Sequence, residues 1–87
     1  MSSMDEIAQT PRLQDILADA ADRARAAGHD WVGVEHVMLA ILADRDAVPT
    51  QVLDRLGIDI GGAATEITRT MSTDGYLTPT RRARLLS

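Results

Sequence analysis

Eighty-seven residues with 13 acidic groups against 9 basic ones, all arginine, make a small acidic chain of net charge −4. Cysteine, phenylalanine and lysine are absent, and there is one tryptophan and one tyrosine. This excludes disulfides, thiolate metal sites, a Walker A phosphate loop and any Schiff-base lysine.

A single domain of this length buries only about 60% of the surface its unfolded form exposes, so its stability is marginal. Its core must come from Leu, Ile, Val, Ala and Met, which suits closely packed helices and not a β-sandwich. No apolar run approaches the roughly 20 residues of a membrane span. The opening Met1-Ser2-Ser3-Met4-Asp5-Glu6 lacks the hydrophobic heart of an export signal. A cytoplasmic protein without membrane association is therefore expected. Residues 1–74 hold all 13 acids and 6 arginines, a net of −7, and residues 75–87 hold 3 arginines, a net of +3. The acidic body disfavours nucleic acid. The short Arg81-Arg82-Ala83-Arg84 cluster reads as an exposed helix face or frayed end, not as a polyanion site.

Residues 1–9 are polar and predict a loose N-terminus. Thr10-Pro11 reads as an N-cap followed by proline at the first helical position. From there Leu13, Ile16, Leu17, Ala20, Ala21, Ala24 and Ala27 recur on one helical face, and Gly28 closes the helix as a left-handed cap residue. His29, just past that cap, is expected to bond the last carbonyls of the first helix. Trp31 is expected as a half-buried anchor between the first two helices, because its indole N–H needs a partner.

A second helix runs from about Val34 to Ala43 and is apolar nearly all round, which predicts the central, most buried helix. Met38 and Met71 read as core fillers, so Met38→Asp is expected to unfold the domain. Asp44-Arg45-Asp46 is a polar break. A third helix starts near Val48 with Pro49 in its first turn, presents Val48, Val52, Leu53 and Leu56 inward, and stops at Gly57. Asp59 caps a fourth helix with Ile60, Ala63, Ala64, Ile67 and Met71 inward, its start weakened by Gly61 and Gly62. Ser72 to Gly75 form a loop.

The tail then echoes the beginning. Thr78-Pro79-Thr80-Arg81 repeats the cap–proline–arginine pattern of Thr10-Pro11-Arg12 at a spacing of 68 residues, as one complete repeat followed by the start of another would.

Thr10-Pro11-Arg12, Gly28-His29, the run from Gly33 to Ile41 (Gly-Val-Glu-His-Val-Met-Leu-Ala-Ile) and Val52-Leu53-Asp54-Arg55-Leu56-Gly57 follow one another at informative spacing. Together they resemble one Clp repeat, the helical module found in tandem at the N-terminus of the Clp/Hsp100 AAA+ unfoldases, most closely the second repeat of the ClpC type. The resemblance divides the chain into an N-terminus over 1–9, a Clp repeat over 10–72 and a tail over 73–87 that starts a second repeat.

It implies an all-α, four-to-five-helix repeat, half of a double-repeat N-domain with pseudo-two-fold symmetry. It also implies a non-catalytic docking module of the protein-degradation machinery, whose partners are the Clp ATPase, adaptors and client proteins. ClpC-type domains recruit adaptors, receive clients marked by phosphoarginine and are targets of cyclic-peptide antibiotics. Carried onto this chain, the resemblance makes Thr10, Arg12 and Glu35 a phosphoarginine-type site, with Gly28, His29, His36 and Gly57 structural. A carboxylate pairs with guanidinium, and the free N–H groups of a helix start take phosphate oxygens. Read from the residues alone, Thr10 caps the first helix and Glu35 favours the dipole of the second.

The chain departs from the family in having one full repeat, Val34 where a threonine is usual, and Gln9 where an aromatic residue often stands. A lone repeat leaves its partner face uncovered, which predicts a homodimer, with the tail from Thr78 to Leu86 reaching across to stand in for the missing repeat. Two rival readings stand beside this one. The first is a free-standing regulator or decoy that sequesters ligands or antibiotics of the Clp ATPase. The second is a small metal-dependent hydrolase using His29, Asp30, Glu35 and His36, although the seven-residue histidine spacing fits no standard zinc pattern and no nucleophile elbow is present. No metal and no cofactor is expected.

Overall fold

The computed structural model describes residues 7–73 and Tyr76. The expectations for residues 1–6 and for the repeat-like tail from Thr78 lie outside the described residues. Four helices follow in chain order: α1 (Pro11–Ala26), α2 (Val34–Ala43), α3 (Val48–Arg55) and α4 (Ile60–Met71). The fold is all-α, with no strand among the described residues.

Local chemistry places the ends. Thr10 Oγ1 accepts the Leu13 N–H at 3.1 Å, and Asp59 Oδ1 accepts that of Gly62 at 3.0 Å, so two helices start on side-chain caps. Gly28 and Gly57 take φ of 78° and 81°, a region closed to most L-residues. Behind each, the chain closes a Schellman motif. The His29 N–H bonds Ala24 O at 2.9 Å and the Gly28 N–H bonds Arg25 O at 3.0 Å; Ile58 and Gly57 do the same to Leu53 and Asp54.

Helix α2 touches α1, α3 and α4, and is the central element. Arg12 at the start of α1 meets Asp44 at the end of α2, while His29 beyond α1 meets His36 at the start of α2. The two helices are therefore antiparallel. Ile16, Ala20 and Ala40 form their buried contact, with Val37 and Ile41 packed against it. Ala20 and Ala24 are fully buried, and their small side chains let the backbones come close. Burying Ile16 contributes about 1.5–3 kcal/mol.

Three inward assignments change. Helix α2 is central but not buried all round: Val34 is 77% exposed and Met38 38% exposed, because neighbours cover only the sides turned to α1, α3 and α4. Leu17 on α1 is likewise exposed. On α3 the apolar stripe faces out, with Val48, Val52 and Leu56 all exposed, whereas Thr50 is 1% exposed. The reason is the end of α2: the Thr50 hydroxyl donates at 2.5 Å to Ile41 O, a last-turn carbonyl that also accepts the Asp44 N–H at 3.1 Å. Two glycines do not delay α4, which starts directly after its Asp59 cap.

Candidate functional site

The turn between α1 and α2 gathers His29, Trp31, Gly33, Glu35, His36 and Tyr76. His29 arrives there because the Schellman motif at Gly28 reverses the chain. Its backbone N–H, not its ring, bonds the end of α1; the ring lies parallel to Trp31 at 4.7 Å between centroids. Trp31 also meets His36 edge-on at 4.8 Å. Its half-buried position thus rests on two imidazoles.

Helix α2 has Gly33 as its N-cap, which supplies no side-chain acceptor. His36 supplies the reciprocal contact: its Nδ1 accepts the Gly33 N–H at 2.9 Å. That lone pair is therefore in use, so the proton of a neutral His36 sits on Nε2. Nε2 lies 2.9 Å from His29 Nδ1 and donates to it, which puts the His29 proton on its own Nε2. His36 is 1% exposed. Burial, then the nearby His29, hold its pKa below the ordinary value, with Glu35 acting in the opposite direction. In this tautomer pair both ring lone pairs accept a hydrogen bond within the turn. Among the described residues no group of three or more potential metal ligands converges.

Glu35 sits in the first turn of α2, where the helix dipole favours a carboxylate. The hydroxyl of Tyr76, itself buried, donates to its Oε2. A carboxylate accepts several hydrogen bonds, so Glu35 keeps acceptor capacity.

Thr10 and Arg12 lie elsewhere. Arg12 Nη1 bonds Asp44 Oδ2 at 2.6 Å, and this bond holds the Asp44 carboxyl below its usual range and the Arg12 guanidinium above its own. Glu35 and Asp44 are nine residues apart on and just beyond α2, which at a rise of 1.5 Å per residue is about 13 Å. The antiparallel pair thus brings Thr10 and Arg12 to one end of α2 and leaves Glu35 at the other.

Sequence reasoning missed Tyr76 and Asp44 as partners of Glu35 and Arg12. The only available signal was chemical: a lone tyrosine in a chain poor in aromatics has a hydroxyl to place, and Asp44 follows directly on an apolar helix.

The fold and the turn cluster define a helical repeat module whose polar groups lock its own turn. The chain belongs to the Clp repeat (R) N-terminal domain family, which matches residues 8–79. It is 33% identical over 73 residues to the chloroplastic chaperone protein ClpC1 of Arabidopsis thaliana, covering 84% of this chain and 8% of the relative. It is 36% identical over 64 residues to the chloroplastic ClpA homolog CD4B of Solanum lycopersicum, an ATP-dependent Clp protease ATP-binding subunit, covering 74% and 7%. A ClpA homolog of Guillardia theta is 33% identical over 64 residues, covering 74% and 8%. The chain spans less than a tenth of the length of these relatives. No helix among the described residues is long and apolar enough to cross a membrane.

Proposed function

We propose that this repeat is a non-catalytic docking module of the Clp protein-degradation system, binding the Clp ATPase, its adaptors or its clients. The observation that carries the reading is family membership over residues 8–79. The test is recovery of partners on the immobilised chain from its own cell extract. Clp ATPase, Clp protease or adaptor subunits enriched over a blank matrix support the reading; their absence, with unrelated proteins in their place, overturns it.

The module works as a homodimer. Val34, Val37, Met38, Ile41 and Ile67 line an apolar hollow on α2 and α4, and Val34 and Met38 there are exposed. A chain this small gains by covering such a face with a second copy.

Phosphoarginine recognition carries a geometric condition. Guanidinium and phosphate in that group are directly bonded, whereas Glu35 and the Thr10–Arg12 pair are separated by the length of α2. One ligand therefore meets both only when Glu35 comes from one copy and Thr10 with Arg12 from another. Calorimetry with free phosphoarginine tests this. Glu35→Ala is expected to weaken binding about tenfold or more through loss of a charged hydrogen bond. No heat at millimolar ligand retires the site and leaves a plain protein-docking surface.

A further inference from the structure

Helices α1 and α4 both pack on α2, yet their Cα atoms nowhere come within 8 Å of each other. The trough between them is floored by Leu39 and Ala43 of α2 and walled by Ala64 of α4, with Leu42 and Ile60 of its lining themselves buried. It comprises two adjoining cavities of about 560 and 600 Å³, which share Arg23, Leu39 and Thr68. The lining is electrostatically one-sided. Arg23, Arg45 and Arg69 stand around the first cavity and His29 and His36 border the second, with no aspartate or glutamate among the described residues that line either. That absence is pointed in a chain of 13 acids and 9 arginines. Arg23 and Arg69 pair with Asp19 and Glu66 on their own helices, exposed contacts that a ligand carboxylate can replace. Arg45 makes no ion pair among the described residues.

We propose that this trough docks an acidic amphipathic peptide segment of a partner protein, its apolar side chains on Leu39 and Ala64 and its carboxylates on Arg23, Arg45 and Arg69. The inference rests on the docking-module reading and names the surface and the ligand chemistry for it. Charge complementarity selects the occupant. A basic segment offers the arginines no carboxylate. A nucleic acid or polyphosphate satisfies the arginines but gains nothing from the apolar floor.

The probe is a short fluorescein-labelled peptide of leucine and glutamate at helical spacing, titrated with the full chain by fluorescence anisotropy. Two control peptides replace glutamate by glutamine or by lysine. The glutamate peptide is expected to bind, weaken in about 0.5 M salt, and exceed the glutamine peptide at least about tenfold, with no binding of the lysine peptide. The double variant Arg45→Glu/Arg69→Glu changes two exposed side chains and is expected to lose about tenfold or more, while Arg25→Glu, outside the trough, keeps parental affinity. Amide shifts in labelled protein should centre on residues 39–43 and 60–69, a readout independent of whether the double variant folds. Equal affinity for the glutamate and glutamine peptides, shifts confined to other residues, or equally potent competition by an oligonucleotide overturns the proposal. Partner recovery from extract that is unchanged in the double variant refutes the trough and leaves the docking module standing; loss of recovery with the parent chain itself refutes the module.

Discussion

At Gly33, the missing side chain is what lets the turn cluster close. A Cβ there would lie 2.7 Å from Glu35 Oε1 and 2.9 Å from Trp31 Cζ3, so Gly33→Ala must push apart two groups that other contacts hold. The expected cost is about 1–3 kcal/mol, and each kcal/mol lowers the melting temperature of a domain this size by about 4–8 °C. Thermal unfolding followed by circular dichroism checks it, and an unchanged transition would mean that Trp31 and Glu35 yield freely. His36 adds a pH dependence of definite sign. Burial and the neighbouring His29 depress its pKa in the folded state, against Glu35, so the unfolded chain takes up the proton first as pH falls. The unfolded state then binds more protons, and stability rises with pH. The contribution is complete above about pH 6.5, the ordinary histidine value, and is lost progressively below it toward the depressed folded value. Urea midpoints are therefore expected to fall between about pH 7.5 and pH 5, and more steeply in the parent than in His36→Gln. A flat profile would contradict the buried neutral imidazole.

Among the elements, the helix ends were the most legible part of the chain. Thr10, Asp59, Gly28 and Gly57 act within a few residues of themselves, so cap chemistry and left-handed glycines could be read without knowing the fold. What the pattern could not reveal was how much of each apolar stripe finds a partner. Helix α3 shows the gap. Its stripe of Val48, Val52 and Leu56 is regular, and Leu56 is nonetheless 71% exposed, because so short a helix is oriented by one polar contact at the end of its neighbour. Thr50 makes that contact with Ile41 O, and no hydrophobic period marks a threonine for burial. Thr50→Val keeps the volume and removes the donor. It is expected to cost about 1–2 kcal/mol, the hydrogen bond plus a carbonyl left less well satisfied, measured as a shifted urea midpoint with unchanged slope. A midpoint equal to the parent's would show that α3 is held by packing alone.

For the whole molecule, legibility falls with sequence separation. The cluster of His29, Trp31, Gly33, Glu35 and His36 lies within eight residues, and its chemistry was visible in one stretch. The Arg12–Asp44 and Glu35–Tyr76 contacts span 32 and 41 residues, and the trough between α1 and α4 exists only once three helices are placed. The same limit governs Met38, whose apolar setting in α2 predicted burial and whose exposed position beside Val34 and Ile67 makes it a surface residue. Met38→Asp therefore changes meaning at this scale. It should leave the fold and the dilute melting temperature near parental values, because the new carboxylate stays in contact with water in the monomer. In a homodimer closed over this hollow, the two-fold axis brings both copies of the substitution into the same interface, where an unpaired charge is strongly disfavoured. The parent is expected to run as a dimer by light scattering at tens of micromolar, which corresponds to an association of about −6 kcal/mol, and Met38→Asp as a folded monomer. Loss of helical signal in the variant would return Met38 to the core. A variant that stays dimeric would place the interface on another face, and a parent that is monomeric at that concentration would retire the homodimer.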